Sequence, residues 1–347
     1  MTENIKKKFF LLKKRNNWDC NNFKKIGASL IVFIILISCQ KQTTKNTILQ
    51  GDIFGTYYRV TYGSEINYQK QLDSLFLVIN KSMSTYQPDS NISKLNRNES
   101  NDVDAHFIKV FETSKKIYNT TEGAFDPTIG IVVNAWDFGP SGSIEDIDKR
   151  KIDSLMQFVG FDVVERNDNI ITKPIGAFID FNAIAKGYAV DVISNYLKSQ
   201  NIENYLVDIG GELYAKGINA EKNKPWKVGV ENPNFDGTQS LNKVITLKDK
   251  AMATSGTYRK FKIDENGNRY AHIIDAKTGY PSKSNLLSIS VIADSCMIAD
   301  AYATAFKAMG MDKVKSFLKT HPELKVFLIF ENNNQDIETL ALNTFPK

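Results

Sequence analysis

Residues 287–310 read LSISVIADSCMIADAYATAFKAMG, and the fold turns on how they divide. Leu287, Ile289 and Val291 alternate with smaller or polar residues, the period of a strand over Leu287–Ala293. Asp294 or Ser295 can then cap a helix by accepting a hydrogen bond from its first turn, and Gly310 can close it. The run therefore predicts a strand leading directly into a helix. Between Met297 and Phe306 that helix has one charged residue, Asp300, with Thr304 as its polar companion. A spacing of four puts both on one face, among Ala, Met and aromatic side chains. A buried carboxylate is costly unless it has a cation, a donor or a raised pKa. Two readings follow: an Asp bonded to neighbouring backbone or to an Arg, or an all-oxygen site for a hard ion such as Mg²⁺.

Outward from this unit the same reasoning gives a mixed α+β body. Toward the C-terminus, VFLIF and IETLALNTF flank the polar turn Asn332–Gln335, a hairpin pattern. Toward the N-terminus, strands are expected at Tyr57–Tyr62, Ala177–Phe181, Tyr205–Ile209, Leu213–Ala215, Trp226–Val230 and Lys243–Leu247. Ile66, Leu72, Leu75, Phe76 and Ile79 recur at helical spacing, as do Phe107, Val110, Phe111, Ser114 and Ile117. Asp126-Pro127 resembles an N-cap followed by proline at the first helical position, leading into TIGIVVNAW. A further helix is expected from about Ile184 to Leu197. No repeat and no Pro- or Gly-rich linker divides residues 51–347, which we treat as one body that could comprise two intertwined subdomains.

Several segments carry chemistry-bearing residues that local structure does not explain. In Asp180-Phe181-Asn182-Ala183-Ile184-Ala185-Lys186-Gly187-Tyr188 a strand ends, Asn182 can cap, and a helix starts with Lys in its first turn and Gly after it. Cations are disfavoured at helix N-termini and interior Gly costs ~1 kcal/mol relative to Ala. A bound phosphate would rationalise the Lys and a close ligand the Gly; a solvated Lys on a surface turn is the alternative. Asp208-Ile209-Gly210-Gly211-Glu212 is either a hairpin turn or a close approach of backbone to ligand. Thr254-Ser255-Gly256-Thr257 offers hydroxyls and amides suited to phosphate, in a string also common in turns. His272 stands near Asp275 and a turn, where it serves structure or acid–base chemistry.

The chain has 347 residues, 42% hydrophobic and 24% charged, which excludes collagen-like, low-complexity and wholly disordered classes. Its net charge of +5 invites a nucleic-acid reading that the distribution removes. Residues 1–39 hold eight Lys/Arg against two acids, leaving 36 basic and 37 acidic residues beyond them. The basic excess belongs to the leader, and no nucleic-acid partner is expected. Ile26–Ile37 is a 12-residue apolar run behind that basic stretch. It is short of the ~20 residues that span a bilayer and fits a secretory h-region. It ends in Leu36-Ile37-Ser38-Cys39, similar to a bacterial lipobox, so residues 1–39 are read as a lipoprotein signal peptide. An uncleaved signal anchor is the other reading. Residues 40–50 then form a polar tether, and the body is expected to face the periplasm from a membrane held through lipidated Cys39. Cys20 and Cys39 lie in this leader, so Cys296 alone remains in the body and can make neither an internal disulfide nor a Cys-based zinc site.

Taken in order, the segments resemble the FAD:protein FMN transferase (ApbE) family of periplasmic flavin transferases. The resemblance runs through Met83-Ser84-Thr85-Tyr86 with Pro88 and Ser90, and Gly123-Ala124-Phe125-Asp126-Pro127-Thr128 with Trp136, Phe138 and Gly139. It continues through Asp180–Asp191, Asp208–Glu212, Ala253–Tyr258, His272–Gly279 and Ala299–Thr304, from about Gly55 to Gly310. It implies a T-fold-like α+β architecture. It further implies Mg²⁺ held by Asp300, the Thr304 hydroxyl and the Ala183 carbonyl, and an FAD site lined by Met83, Ala124, Phe125, Asp126, Asp180, Lys186 and Ile273. His272 would stand close to the reacting phosphate. Ile131 departs from a usual Pro and Asp137 from a frequent Gly, and Lys186 occupies a position that relatives fill with Glu or Lys.

The implied reaction moves FMN from FAD to a Thr or Ser hydroxyl of a target protein, with AMP leaving. Mg²⁺ would neutralise charge on the pyrophosphate, and a base, His272 or Asp300, would take the hydroxyl proton. We favour Asp300 for the metal and His272 for acid–base work. A Mg²⁺-dependent FAD pyrophosphatase would use the same site with water as acceptor. A non-enzymatic flavin-binding lipoprotein would need no Asp300/Thr304 pair.

Overall fold

Eight strands form one sheet whose spatial order is also their order in the chain, each antiparallel to its neighbour. They are β1 (Thr47–Ile53), β2 (Thr56–Tyr62), β3 (Tyr205–Ile209), β4 (Glu212–Lys216), β5 (Lys250–Gly256), β6 (Leu286–Ala293), β7 (Lys325–Glu331) and β8 (Ile337–Leu342). This computed structural model describes residues 45–140, 147–258, 261–263, 269–282 and 284–346. The expected signal peptide and Cys39 lie outside those residues. The expected tether at 40–50 is corrected at its end, because Thr47–Gln50 already pair with Val60, Thr61 and their neighbours in β2. Among the described residues no helix is long and apolar enough to cross a membrane.

The connections carry everything else. Between β2 and β3 run α1 (Gln69–Met83), α2 (Asn91–Asn96), α3 (Ala105–Thr120), α4 (Gly130–Ala135), α5 (Lys149–Met156) and α6 (Ala185–Ser199). Between β6 and β7 run α7 (Cys296–Met309) and α8 (Met311–Leu318). The long helices cover one face of the sheet, packing Leu72, Phe107, Val110, Ile193 and Phe306 onto Val207, Ala253, Ile289 and Val291. A small sheet of Ile218–Asn219, Lys224–Glu231 and Leu241–Leu247 covers the other, setting Trp226, Val228 and Ile245 against Leu213, Met252 and Ile292. With both faces covered, all eight residues of β6 are buried. Its serines, which the alternation alone would expose, are inside.

Much of the expected periodicity is realised: the buried residues of α3 are Phe107, Val110, Phe111, Ser114 and Ile117. Ser295 caps α7 by accepting from the Ile298 amide, and Gly310 ends it at φ +79°. Four expectations are corrected. Ile66 lies ahead of α1 and is exposed. Asp126-Pro127 does not open a helix, because the Asp126 carboxylate accepts from the amide and hydroxyl of Thr128 and closes a turn, delaying α4 to Gly130. Ala177–Phe181 is not a strand: Asn96 clamps both backbone groups of Ile179 at 2.8 Å, and the Asp180 amide donates to the Pro127 carbonyl. Asn182 does not cap α6, because its amide and side chain donate to Asp180 instead.

Candidate active site

One cavity of about 970 Å³ opens between the helical layer and one end of the sheet. That is near the top of the ~300–1,000 Å³ range of small-molecule sites. Met83 reaches its wall from the last turn of α1, and Ala124, Phe125 and Asp126 from the loop before α4. Asp180 and Ala183 come from the irregular segment before α6, Lys186 from its first turn, and His272 and Ile273 from the loop before β6. Asp300 and Thr304 come from α7. All eleven residues singled out from the sequence therefore line one space, although they are drawn from stretches up to 221 positions apart. The wall also holds Glu212 from β4 and Thr254, Ser255 and Gly256 from β5.

Asp300 is 4% exposed, and its Oδ2 accepts from the Gly187 amide at 3.0 Å. Burial, reinforced by the negative Glu212, pushes its carboxyl up to about 7, against the opposing pull of Lys186 and the Gly187 amide. The Thr304 hydroxyl lies one turn on, 3.1 Å from the Ser255 hydroxyl. The backbone alternative for Asp300 is thus realised at one oxygen, while the residue still faces the cavity. The donors gathered here are all oxygen and suit Mg²⁺. Among the described residues no cluster of three His, Cys, Asp or Glu offers a metal cage. A bound ion here would lean on hydroxyl, carbonyl, water and substrate oxygens.

Lys186 and Gly187 have physical reasons that the sequence reading missed. The Lys186 ammonium stands 2.7 Å from the Glu212 carboxylate, whose side chain is 3% exposed. The lysine therefore neutralises a buried acid, whatever it does toward a phosphate. A Cβ on Gly187 would fall 2.3 Å from the Cys296 carbonyl oxygen, so the glycine is required by the contact between α6 and α7. Glu212 was legible only as part of the Asp208–Glu212 string. The glycines of that string form a two-residue turn between β3 and β4 with φ +63° and +98°, and Gly210 also lines the cavity. The hairpin-turn reading of the string is the one realised. Thr254-Ser255-Gly256 is the end of β5 and not a turn.

Asp126 is held by Thr128, whose hydroxyl also accepts from the Gly160 amide at 2.8 Å; burial raises the Asp126 carboxyl against those hydrogen bonds. The His272 ring is half-buried and lies edge-on to Phe138 with centroids 6.3 Å apart. Asp137, where relatives often have Gly, takes φ +59°, the left-handed region that glycine enters without a Cβ clash.

The model of the ApbE family matches residues 54–328, which spans every cavity segment named above. This chain belongs to the ApbE family. It is 35% identical over 344 residues to the FAD:protein FMN transferase of Haemophilus influenzae, covering 93% of this chain and 98% of that protein. To the FAD:protein FMN transferase of Vibrio cholerae it is 34% identical over 297 residues, covering 82% and 88%. The solved flavin transferase ApbE from Vibrio cholerae superposes with a TM-score of 0.77 at 32% identity, over 86% of this chain and 97% of that one. The ApbE protein of Thermotoga maritima gives 0.75 at 28% identity, over 85% and 96%. The mixed architecture, an antiparallel sheet layered with helices, is that of the solved ApbE flavin transferases.

Proposed function

We propose that this chain transfers FMN from FAD to a Thr or Ser hydroxyl of a target protein and releases AMP. The observation that carries the reading is the Asp300–Thr304 face of α7, which lines the same cavity as Lys186, Asp180 and His272 in a chain of this family. Asp300, Thr304 and the Ala183 carbonyl would hold Mg²⁺, which when bound neutralises charge on the pyrophosphate oxygens. In the transfer, the acceptor hydroxyl oxygen forms a bond to the FMN phosphorus as the pyrophosphate bond to AMP breaks. His272 takes the hydroxyl proton, and the AMP phosphate leaves with the bridging oxygen. Met83, Ala124, Phe125 and Ile273 supply apolar walls to orient the flavin nucleotide, and Asp126 and Asp180 supply fixed acceptors. The Lys186–Glu212 pair keeps a cation at the wall without leaving a net charge buried.

We further propose that lipidated Cys39 anchors the protein at the cell envelope with its body facing the periplasm. The basic n-region, the short apolar run and the Cys that ends it support this.

The test is incubation of the purified protein with FAD, Mg²⁺ and a Thr-containing acceptor protein. Flavin fluorescence covalently attached to the acceptor, with AMP in equal amount, is expected. Asp300→Ala should abolish both. AMP and free FMN without labelled acceptor would make water the acceptor, and no turnover in the wild type would overturn the reading.

A further inference from the structure

Asp191 lies one turn beyond Gly187 on α6, on the same face of that helix. Its carboxylate takes three hydrogen bonds from the start of α7. Oδ1 accepts from the Cys296 amide at 2.8 Å, and Oδ2 accepts from the Met297 amide at 3.0 Å and the Ser295 hydroxyl at 2.6 Å. Ser295 in turn accepts from the Ile298 amide. Amide groups that a helix leaves without partners at its N-terminus are thereby satisfied, two of them from a neighbouring helix. An acid at this end also suits the helix dipole. One turn back, Gly187 lets the two backbones meet and donates to Asp300. One face of α6 thus grips α7 at its first turn and again at the Asp300 carboxylate.

We infer that Asp191 is a positioning residue for the Asp300–Thr304 pair. By tying the first turn of α7 to α6 it sets the height and rotation at which those two oxygen donors face the cavity. A helix that slips by one residue moves about 1.5 Å along its axis and turns about 100°. Displacements near 1 Å at a catalytic group cost on the order of 10²-fold in rate. The inference rests on the reading of Asp300 and Thr304 as magnesium ligands.

The variants are Asp191→Ala and Asp191→Asn, with Asp104→Ala as the control. Asp104 caps α3 by accepting from the Phe107 amide at 2.8 Å and also accepts from the Ser82 hydroxyl, and it does not line the cavity. In Asp191→Ala the Mg²⁺ concentration for half-maximal AMP release should rise at least tenfold, with KM for FAD at saturating Mg²⁺ within twofold of wild type. Asp191→Asn keeps one acceptor oxygen, so it can accept at one of the two amide positions while its NH2 faces the other, and it should recover part of this. The rise in melting temperature on adding Mg²⁺ to the wild type should shrink in Asp191→Ala and persist in Asp104→Ala, even though both variants melt lower. An unchanged Mg²⁺ requirement in Asp191→Ala, or an equal shift in Asp104→Ala, overturns the positioning role. If Asp191→Ala does not fold, a wild-type Mg²⁺ requirement in Asp191→Asn together with faster amide exchange at Cys296 and Met297 overturns it. A wild type that responds to Mg²⁺ by neither readout overturns the metal reading beneath it.

Discussion

Lys307 sits in the last turn of α7 with no exposed surface, and its ammonium has no hydrogen-bond partner among the described residues. It lies seven residues after Asp300, near the same helix face, and its backbone carbonyl accepts from the Ser282 hydroxyl. Burial alone lowers its amine from 10.5 to about 8. At ~1.4 kcal/mol per pKa unit, this corresponds to roughly 3 kcal/mol lost by keeping the charged form inside. The sign follows from proton binding. Between about pH 8 and 10.5 the unfolded chain holds a proton that the native one has released, so stability rises with pH across that window and the penalty is complete below it. Lys307→Met keeps an unbranched side chain of similar length and removes the charge. Urea unfolding at pH 7 should show the variant more stable by roughly 2–3 kcal/mol, with the advantage shrinking above pH 8 and vanishing near pH 10.5. No gain at pH 7, or a gain independent of pH, would refute the reasoning, because the ammonium would then have a partner or water.

Four further outcomes follow, three from the contacts and backbone described and one from the sequence of the leader. Lys186→Met leaves Glu212 buried without its cation and should destabilise the FAD-free protein by about 1–3 kcal/mol, less than a fully buried pair because the lysine side chain is 32% exposed; Lys186→Met with Glu212→Gln should recover most of the loss in thermal melts. Gly187→Ala forces a methyl against the Cys296 carbonyl and should cost about 1–3 kcal/mol and depress turnover, whereas Asp137→Gly relieves a left-handed residue and should leave stability unchanged or raise it by up to about 1 kcal/mol. Cys39→Ala should move the body out of the membrane fraction or leave an unprocessed precursor, and unchanged partition with unchanged mature size would argue against lipidation.

Local chemistry determined a good deal of this protein by itself. The 3.6-residue period of α3, the Ser295 cap and Gly310 stop of α7, and the terminal hairpin are short-range effects, and each is written in neighbouring residues. The oxygen donors on α7 were legible for the same reason, since a carboxylate and a hydroxyl four residues apart must share a face. At Ile179 a distant group had taken over a local choice, whereas at Asp126 and Asn182 a bond only two residues along the chain displaced the expected cap. Asn96 supplies the backbone partners that Ile179 would have sought in a sheet, and Asp180 takes the Asn182 side chain that would have capped α6. Lys186 looked anomalous because its partner, Glu212, arrives from β4, and Gly187 because its reason is the backbone of Cys296 on another helix. The burial of every residue of β6 was likewise decided by a second sheet built from residues 218–247. A charge pair, a backbone contact and a covered face each need two segments brought within a few ångströms. Sequence spacing carries no distance between such segments, so only the tertiary structure could decide them.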